Sequence, residues 1–212
     1  MVRPQVAIID YGAGNLFSAS RALESVSADV VVTTDHRVVG KADGALVPGV
    51  GAFESAMNGL AAVSAPRMIE TRLAGGRPVL GICLGLQVMF EKGVEGGVSI
   101  PGLGQWPGTV ESLGVTPLPH MGWNTVDTSA DSRMFAGISP EERFYFVHSY
   151  GITRDEFVRQ PPFTLPTIGW TEHAGCRFMS AVEDGALWAT QFHPEKSGSA
   201  GLRLLKNWVS SL

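Results

Sequence analysis

The chain has 212 residues, 44% of them hydrophobic and only 17% charged, which is enough to bury a sizeable core without disulfide or metal staples. A net charge of −4 with no Lys/Arg cluster argues against nucleic-acid binding, and no apolar run approaches the roughly 18 residues of a membrane span. Two cysteines make no disulfide framework, and the apolar run Val6–Ile9 is too short for a signal peptide, so a cytoplasmic protein is expected.

In chain order, Val6–Ile9 reads as a strand and Asp10–Asn15 as a turn. Leu16–Val26 has apolar residues at helical spacing. Strands follow at Val30–Val32 and Ala45–Val47, then helices at Phe53–Val63 and Pro66–Leu73, the second with proline at a plausible first position. Pro78–Cys83 is a fourth strand, leading into a helix over Leu84–Glu91. Strands separated by helices predict an α/β fold with a mostly parallel sheet covered on both faces. After about Gly93, glycine, proline and β-prone residues take over. Strand signals fall at Gly108–Leu113, Phe144–Val147, Thr167–Thr171, Phe178–Val182 and Ala186–Phe192, with a hairpin turn at Glu183–Gly185. A mixed or antiparallel β extension is therefore expected in the second half. Residues 160–166 read as a loop, and Gly201–Leu212 as a final helix with Leu204, Leu205, Trp208 and Val209 on one face. No linker divides the chain, and one domain over 1–212 is expected.

Gly81-Ile-Cys83-Leu-Gly85 matches the nucleophile-elbow pattern, with cysteine as nucleophile, between a strand and a helix. By itself it fits equally well a buried cysteine between packing glycines. Gln191-Phe-His193-Pro-Glu195 supplies a partner. Residues two apart on a strand point the same way, so Glu195 is placed to orient His193 as the base for the Cys83 thiol. An oxyanion site needs N–H donors: Leu84 follows the nucleophile, and Gly49, Val50 and Gly51 end the third strand with glycine freedom. Gln87, one helical turn beyond Cys83, is a candidate substrate contact. The five histidines show no metal-ligand spacing. Asp10–Asn15 lacks the third glycine of a dinucleotide fingerprint. No cofactor is expected.

PGVGAF, GICLGLQ and QFHPEKSG, in this order, resemble the class I (triad) glutamine amidotransferases. DYGAGN after the first strand and PHMGWN at Pro119–Asn124 narrow the resemblance to the glutaminase subunits of imidazole glycerol phosphate synthase. The resemblance covers nearly the whole chain. It implies a three-layer amidotransferase-like fold in which Cys83, His193 and Glu195 hydrolyse L-glutamine through a thioester. Gln87 and the Ser149–Tyr150 backbone would hold the substrate. Ammonia would pass to a separate cyclase subunit with a (β/α)8 barrel, docked at Tyr11, His120, Met121, Trp123 and Asn124. Activity would be weak without that partner. The stretch 91–107 departs from the family's commoner acidic, leucine-rich run, so no residue there is assigned to the substrate amino group. Two alternatives are the glutaminase of pyridoxal phosphate synthase, whose oxyanion strand usually reads Gly-Gly-Glu-Ser, and a free-standing Cys-His thiol hydrolase.

Overall fold

A computed structural model describes residues 3–159, 161–162 and 164–212. The first half alternates strand and helix: β1 (Gln5–Ile9), α1 (Leu16–Ser25), β2 (Asp29–Thr33), α2 (His36–Lys41), β3 (Gly44–Val47), α3 (Phe53–Ala62), α4 (Ala65–Ala74), β4 (Val79–Ile82) and α5 (Leu84–Gln87). There follow β5 (Phe90–Glu95), β6 (Val98–Pro101), β7 (Trp106–Ser112), β8 (His120–Asn124), β9 (Phe144–His148), β10 (Tyr150–Gly151), β11 (Thr167–His173), β12 (Cys176–Asp184), β13 (Leu187–Thr190) and α6 (Gly198–Val209). A 3-10 turn, Pro194–Lys196, precedes α6.

The main sheet runs β11-β12-β13-β4-β3-β1-β2. Its contacts from β13 to β2 are parallel, while β12 and β11 add on antiparallel. Period-two alternation divides each strand between two cores. Val6 and Ile8 face α1 and α6, whereas Ala7 and Ile9 face α2, α3 and α4. Covered on both faces, β3 and β4 are apolar throughout (Gly-Ala-Leu-Val and Val-Leu-Gly-Ile) and wholly buried. The expected extension is built in three parts. β11 and β12 widen the main sheet, β10-β7-β5-β6 form a second sheet, and β8 pairs with β9 as a two-stranded ribbon.

Several expectations are corrected. The helix over Leu84–Glu91 is a single turn ending at Gln87, and the chain then enters β5. A continuous apolar run cannot distinguish buried helix from buried strand, and pairing of β5 with β6 and β7 decides it. Between the expected strands at Val30–Val32 and Ala45–Val47, where no helix is expected, the chain forms a short helix at His36–Lys41, capped by the Asp35 side chain accepting from Arg37 N–H. The final helix starts three residues earlier than expected, straight after the 3-10 turn. A Cβ on Gly201 would lie 2.0 Å from the Pro194 carbonyl oxygen, so only glycine lets the helix pack against that turn. The hairpin turn falls at Gly185-Ala186, between the paired Asp184 and Leu187. Of the loop at 160–166, Gln160 and Phe163 lie outside the described residues.

One buried cation ties the lower edge of the sheet together. Arg72 on α4 is 2% exposed, and its guanidinium donates to the carbonyls of Val39, Ala42, Asp43 and Pro78 at 2.6–3.0 Å. It thereby closes the end of α2 and holds the chain entering β3 and β4. Burial, reinforced by the Arg77 charge and opposed by Asp43, lowers its pKa to about 10, so it stays charged at neutral pH. Arg72→Met should destabilise the fold by about 2–4 kcal/mol, because buried carbonyls lose a charged donor. Urea unfolding with an unchanged m-value would measure it.

Candidate active site

Cys83 stands at the sharp turn between β4 and α5, with φ +56° and ψ −110°. A non-glycine residue there carries roughly 1–3 kcal/mol of strain, so the surroundings must impose it. They do. A Cβ on Gly85 would lie 1.9 Å from the Val47 carbonyl oxygen, and one on Gly81 would lie 2.5 Å from the Gly85 oxygen. The two glycines of the elbow are therefore fixed by backbone-on-backbone packing. The Cys83 N–H is anchored on Thr190 O at 2.7 Å. Because α5 is only one turn long, a helix dipole gives the thiol little help. The cation beside it is His193.

His193 is 2% exposed. Its Nδ1 meets Glu195 Oε1 at 2.7 Å, and both side chains are almost wholly buried. The contact does not arise as expected from strand alternation. β13 ends at Thr190, and His193 is the last extended residue before the 3-10 turn that carries Glu195 back beneath it. Ser197 locks this turn, donating to His193 O and accepting from Tyr145 N–H. The other imidazole nitrogen, Nε2, is buried without a hydrogen-bond partner and is left for the thiol side of the ring. Burial pushes the His193 pKa down, but the adjacent Cys83 and Glu195 groups outweigh it and raise it to about 9.

A cleft of about 240 Å³ opens on this pair, lined by Val50, Gly51, Cys83, Leu84, Gln87, Val147, His148, Ser149, Tyr150 and His193. The expected oxyanion and substrate residues are thus brought together, with two refinements. Gly49 does not line the cleft but packs on the elbow, where a Cβ would come within 2.9 Å of Leu84, Tyr11 and Gly85 atoms. Gln87 is a buried side chain whose Nε2 already donates to Tyr150 O and Gln191 Oε1 at 2.8 and 3.0 Å.

Sequence reading missed two residues. Gln191, fully buried, places Nε2 3.7 Å from Cys83 Sγ. Its position two before His193 was the only signal. Glu95 on β5 accepts from the Phe53 N–H at 3.0 Å and lies in a recess that shares Gly51, Gln87 and Tyr150 with the cleft. It is the one acidic side chain lining that recess.

The residues expected to face a partner divide. Met121 and Trp123 alternate outward along β8, 63% and 52% exposed. Tyr11 and His120 are instead buried. The Tyr11 hydroxyl donates to Pro48 O and braces the strand end that leads to Val50. Burial, with the Cys83 charge adding to it, raises its pKa, so it remains a neutral donor. His120 turns toward His148 across the ribbon. Among the described residues, no group of three or more His, Cys, Asp or Glu is arranged to hold a metal ion, and no helix is long and apolar enough to cross a membrane.

The model of the glutamine amidotransferase class-I family matches residues 7–212. An imidazole glycerol phosphate synthase subunit HisH from Corynebacterium diphtheriae is 59% identical over 208 residues, covering 98% of this chain and 99% of that protein. The subunit HisH of Nocardia farcinica is 57% identical over the full length of both. Among solved structures, a glutamine amidotransferase superposes with TM-score 0.72 at 14% identity, covering 98% of this chain and 99% of that one. A chain of PurLQS from Thermotoga maritima does so with TM-score 0.71 at 15% identity and 99% coverage of both. The chain belongs to the class-I glutamine amidotransferase family and, within it, to the HisH group of imidazole glycerol phosphate synthase subunits.

Proposed function

We propose that this chain hydrolyses L-glutamine at Cys83 and hands the ammonia to a separate cyclase subunit with a (β/α)8 barrel. That partner would use it to make imidazole glycerol phosphate and AICAR in histidine biosynthesis, in the cytoplasm. The observation that carries the reading is the buried His193–Glu195 pair directed at the elbow cysteine.

The raised pKa of His193 makes its Nε2 a strong base, which takes the proton of the Cys83 thiol. The Cys83 thiolate attacks the side-chain amide carbon of glutamine. The oxyanion that forms is met by the Leu84 N–H and by the Val50–Gly51 backbone. His193 Nε2–H protonates the amide nitrogen, the C–N bond breaks, and ammonia leaves a glutamyl thioester. His193, now neutral, takes a proton from water. The hydroxide adds to the thioester, the C–S bond breaks, and glutamate departs with the thiolate restored. Glu195 holds the imidazole tautomer and stabilises its charge. The Glu95 carboxylate matches the substrate ammonium, and the Ser149–Tyr150 backbone matches its polar end.

Exposed Met121 and Trp123 are the proposed contacts with the barrel. A large amphipathic ring flanked by Gly122 and Asn124 is the residue type that dominates interface energetics.

Cys83→Ala should lower glutamate release at least about 1,000-fold, measured with the cyclase present. Full activity of the isolated chain would defeat the expectation that a partner is required. The alkaline limb of the rate profile should fall near the His193 pKa of about 9, and in Glu195→Gln it should move down toward the ordinary histidine value. The stabilising term from the charged His193 is fully present below about pH 6.5 and fades as pH rises through about 9, which thermal unfolding across pH would follow. Trp123→Ala should weaken cyclase binding by about 30-fold, read by titration calorimetry, and leave alkylation of Cys83 in the isolated chain unchanged.

A further inference from the structure

A hydrogen-bonded chain of five side-chain and backbone groups runs from the β8–β9 ribbon to the cleft wall. Cross-strand register sets His120 on β8 directly opposite His148 on β9. His120 Nδ1 meets His148 Nε2 at 3.1 Å, and His148 Nδ1 meets Tyr150 O at 2.9 Å. On the other side Asn124 Nδ2 meets His120 Nε2 at 3.3 Å, and Asn124 Oδ1 accepts from Thr125 N–H at 2.9 Å.

The direction of every bond follows from the two ends. Thr125 N–H can only donate, so the Asn124 oxygen faces it and the Asn124 amide nitrogen must donate to His120 Nε2 and to Glu172 O. Tyr150 O can only accept, so His148 carries its proton on Nδ1. With His120 also protonated on Nδ1, all the bonds are satisfied and both rings are neutral. Any other tautomer puts two donors or two acceptors face to face. Burial, with the His173 charge beside it, lowers the His120 pKa to about 4, and burial likewise takes His148 to about 3. His173 stacks on the His120 ring at 4.3 Å and spends its own Nε2 on Pro117 O.

The end point of the chain is the substrate cleft. Leu113 N–H donates to Ser149 O, and Tyr150 lies opposite Ser112. Tyr150 is then the non-hydrogen-bonded member of the β7–β10 pair, and its N–H and C=O turn away from β7. The carbonyl is taken by two donors, Gln87 Nε2 and His148 Nδ1. Its orientation is set by those two bonds.

We propose that His148, His120 and Asn124 are positioning residues, a tautomer-locked relay that fixes the Tyr150 backbone for glutamine binding without touching the reacting atoms. The proposal rests on the glutaminase reading. It deepens that reading by naming what holds the binding wall in place, and it gives His120 and Asn124 an inward role on a strand whose alternate residues face out.

Nitrogen-15 NMR of the histidine-labelled chain at pH 7 tests the lock directly. His120 and His148 should both be neutral with the proton on Nδ1. A proton on Nε2 of either ring, or a charged ring, overturns the relay. Kinetics test its role, with glutamate release measured in complex with a cyclase. His120→Leu should raise the KM for glutamine about fivefold, the net worth of one hydrogen bond, with kcat nearly unchanged. His120→Asn, which keeps an amide nitrogen where Nδ1 stood, should recover most of that loss. An unchanged KM in His120→Leu, a kcat that falls in step with kcat/KM, or an Asn variant no better than Leu would each overturn the role. A wild-type chain that releases no glutamate would instead defeat the glutaminase reading and leave the NMR result to decide the relay. The same NMR result decides it if His120→Leu fails to fold.

Discussion

The site depends on how closely α5 can approach the end of β3. Gly85 lies so near the Val47 carbonyl that no side chain fits between them. That approach forces Cys83 into its left-handed backbone and lifts the thiol above the strand ends. Gly81 and Gly49 meet the same requirement from the other two sides of the elbow. Glycine at these positions is a packing demand imposed by neighbouring backbone, and freedom of the chain there is secondary. A sheet of parallel strands with buried central members is what brings those backbones together.

Once the thiol is placed, electrostatics follows from burial. A histidine and a glutamate with almost no solvent contact would each be costly alone, but together they stabilise one another and draw the imidazole toward its charged form. The turn that joins them is held from both ends. Ser197 ties it to Tyr145 and to its own His193 carbonyl, and Gly201 lets α6 press against Pro194. The final helix therefore contributes to the chemistry although none of its side chains enters the cleft.

A second layer surrounds Cys83. Gln87 and Gln191 bond to each other and span from the Tyr150 carbonyl to the thiol. Tyr11 braces Pro48 just before Val50 and Gly51, and the histidines of the β8–β9 ribbon brace Tyr150. Three of these contacts, from Gln87, His148 and Tyr11, end on the backbone carbonyls of Tyr150 and Pro48. The ribbon does this with one face while Met121 and Trp123 occupy the other.

Much of this was legible in the sequence, because it follows from local rules. Apart from α2, the alternation of strand and helix through Ile82, the cysteine elbow with its glycines, and the pairing of His193 with Glu195 follow from spacings of a few residues. The parts that were not legible depend on residues far apart in the chain. The helix after Cys83 stops at Gln87 because β5 finds partners in β6 and β7. Glu195 reaches His193 through a turn and not along a strand. Gln87 finds Tyr150 across 63 residues, and Gln191 finds Cys83 across 108. Tyr11 and His120 turn inward because carbonyl and imidazole partners await them there. The sequence by itself determined which chemical groups the protein carries and the order in which it presents them. Which of those groups face the cleft, the core or solvent was decided only by the tertiary structure, since each buried polar atom must find its partner wherever the folded backbone puts one.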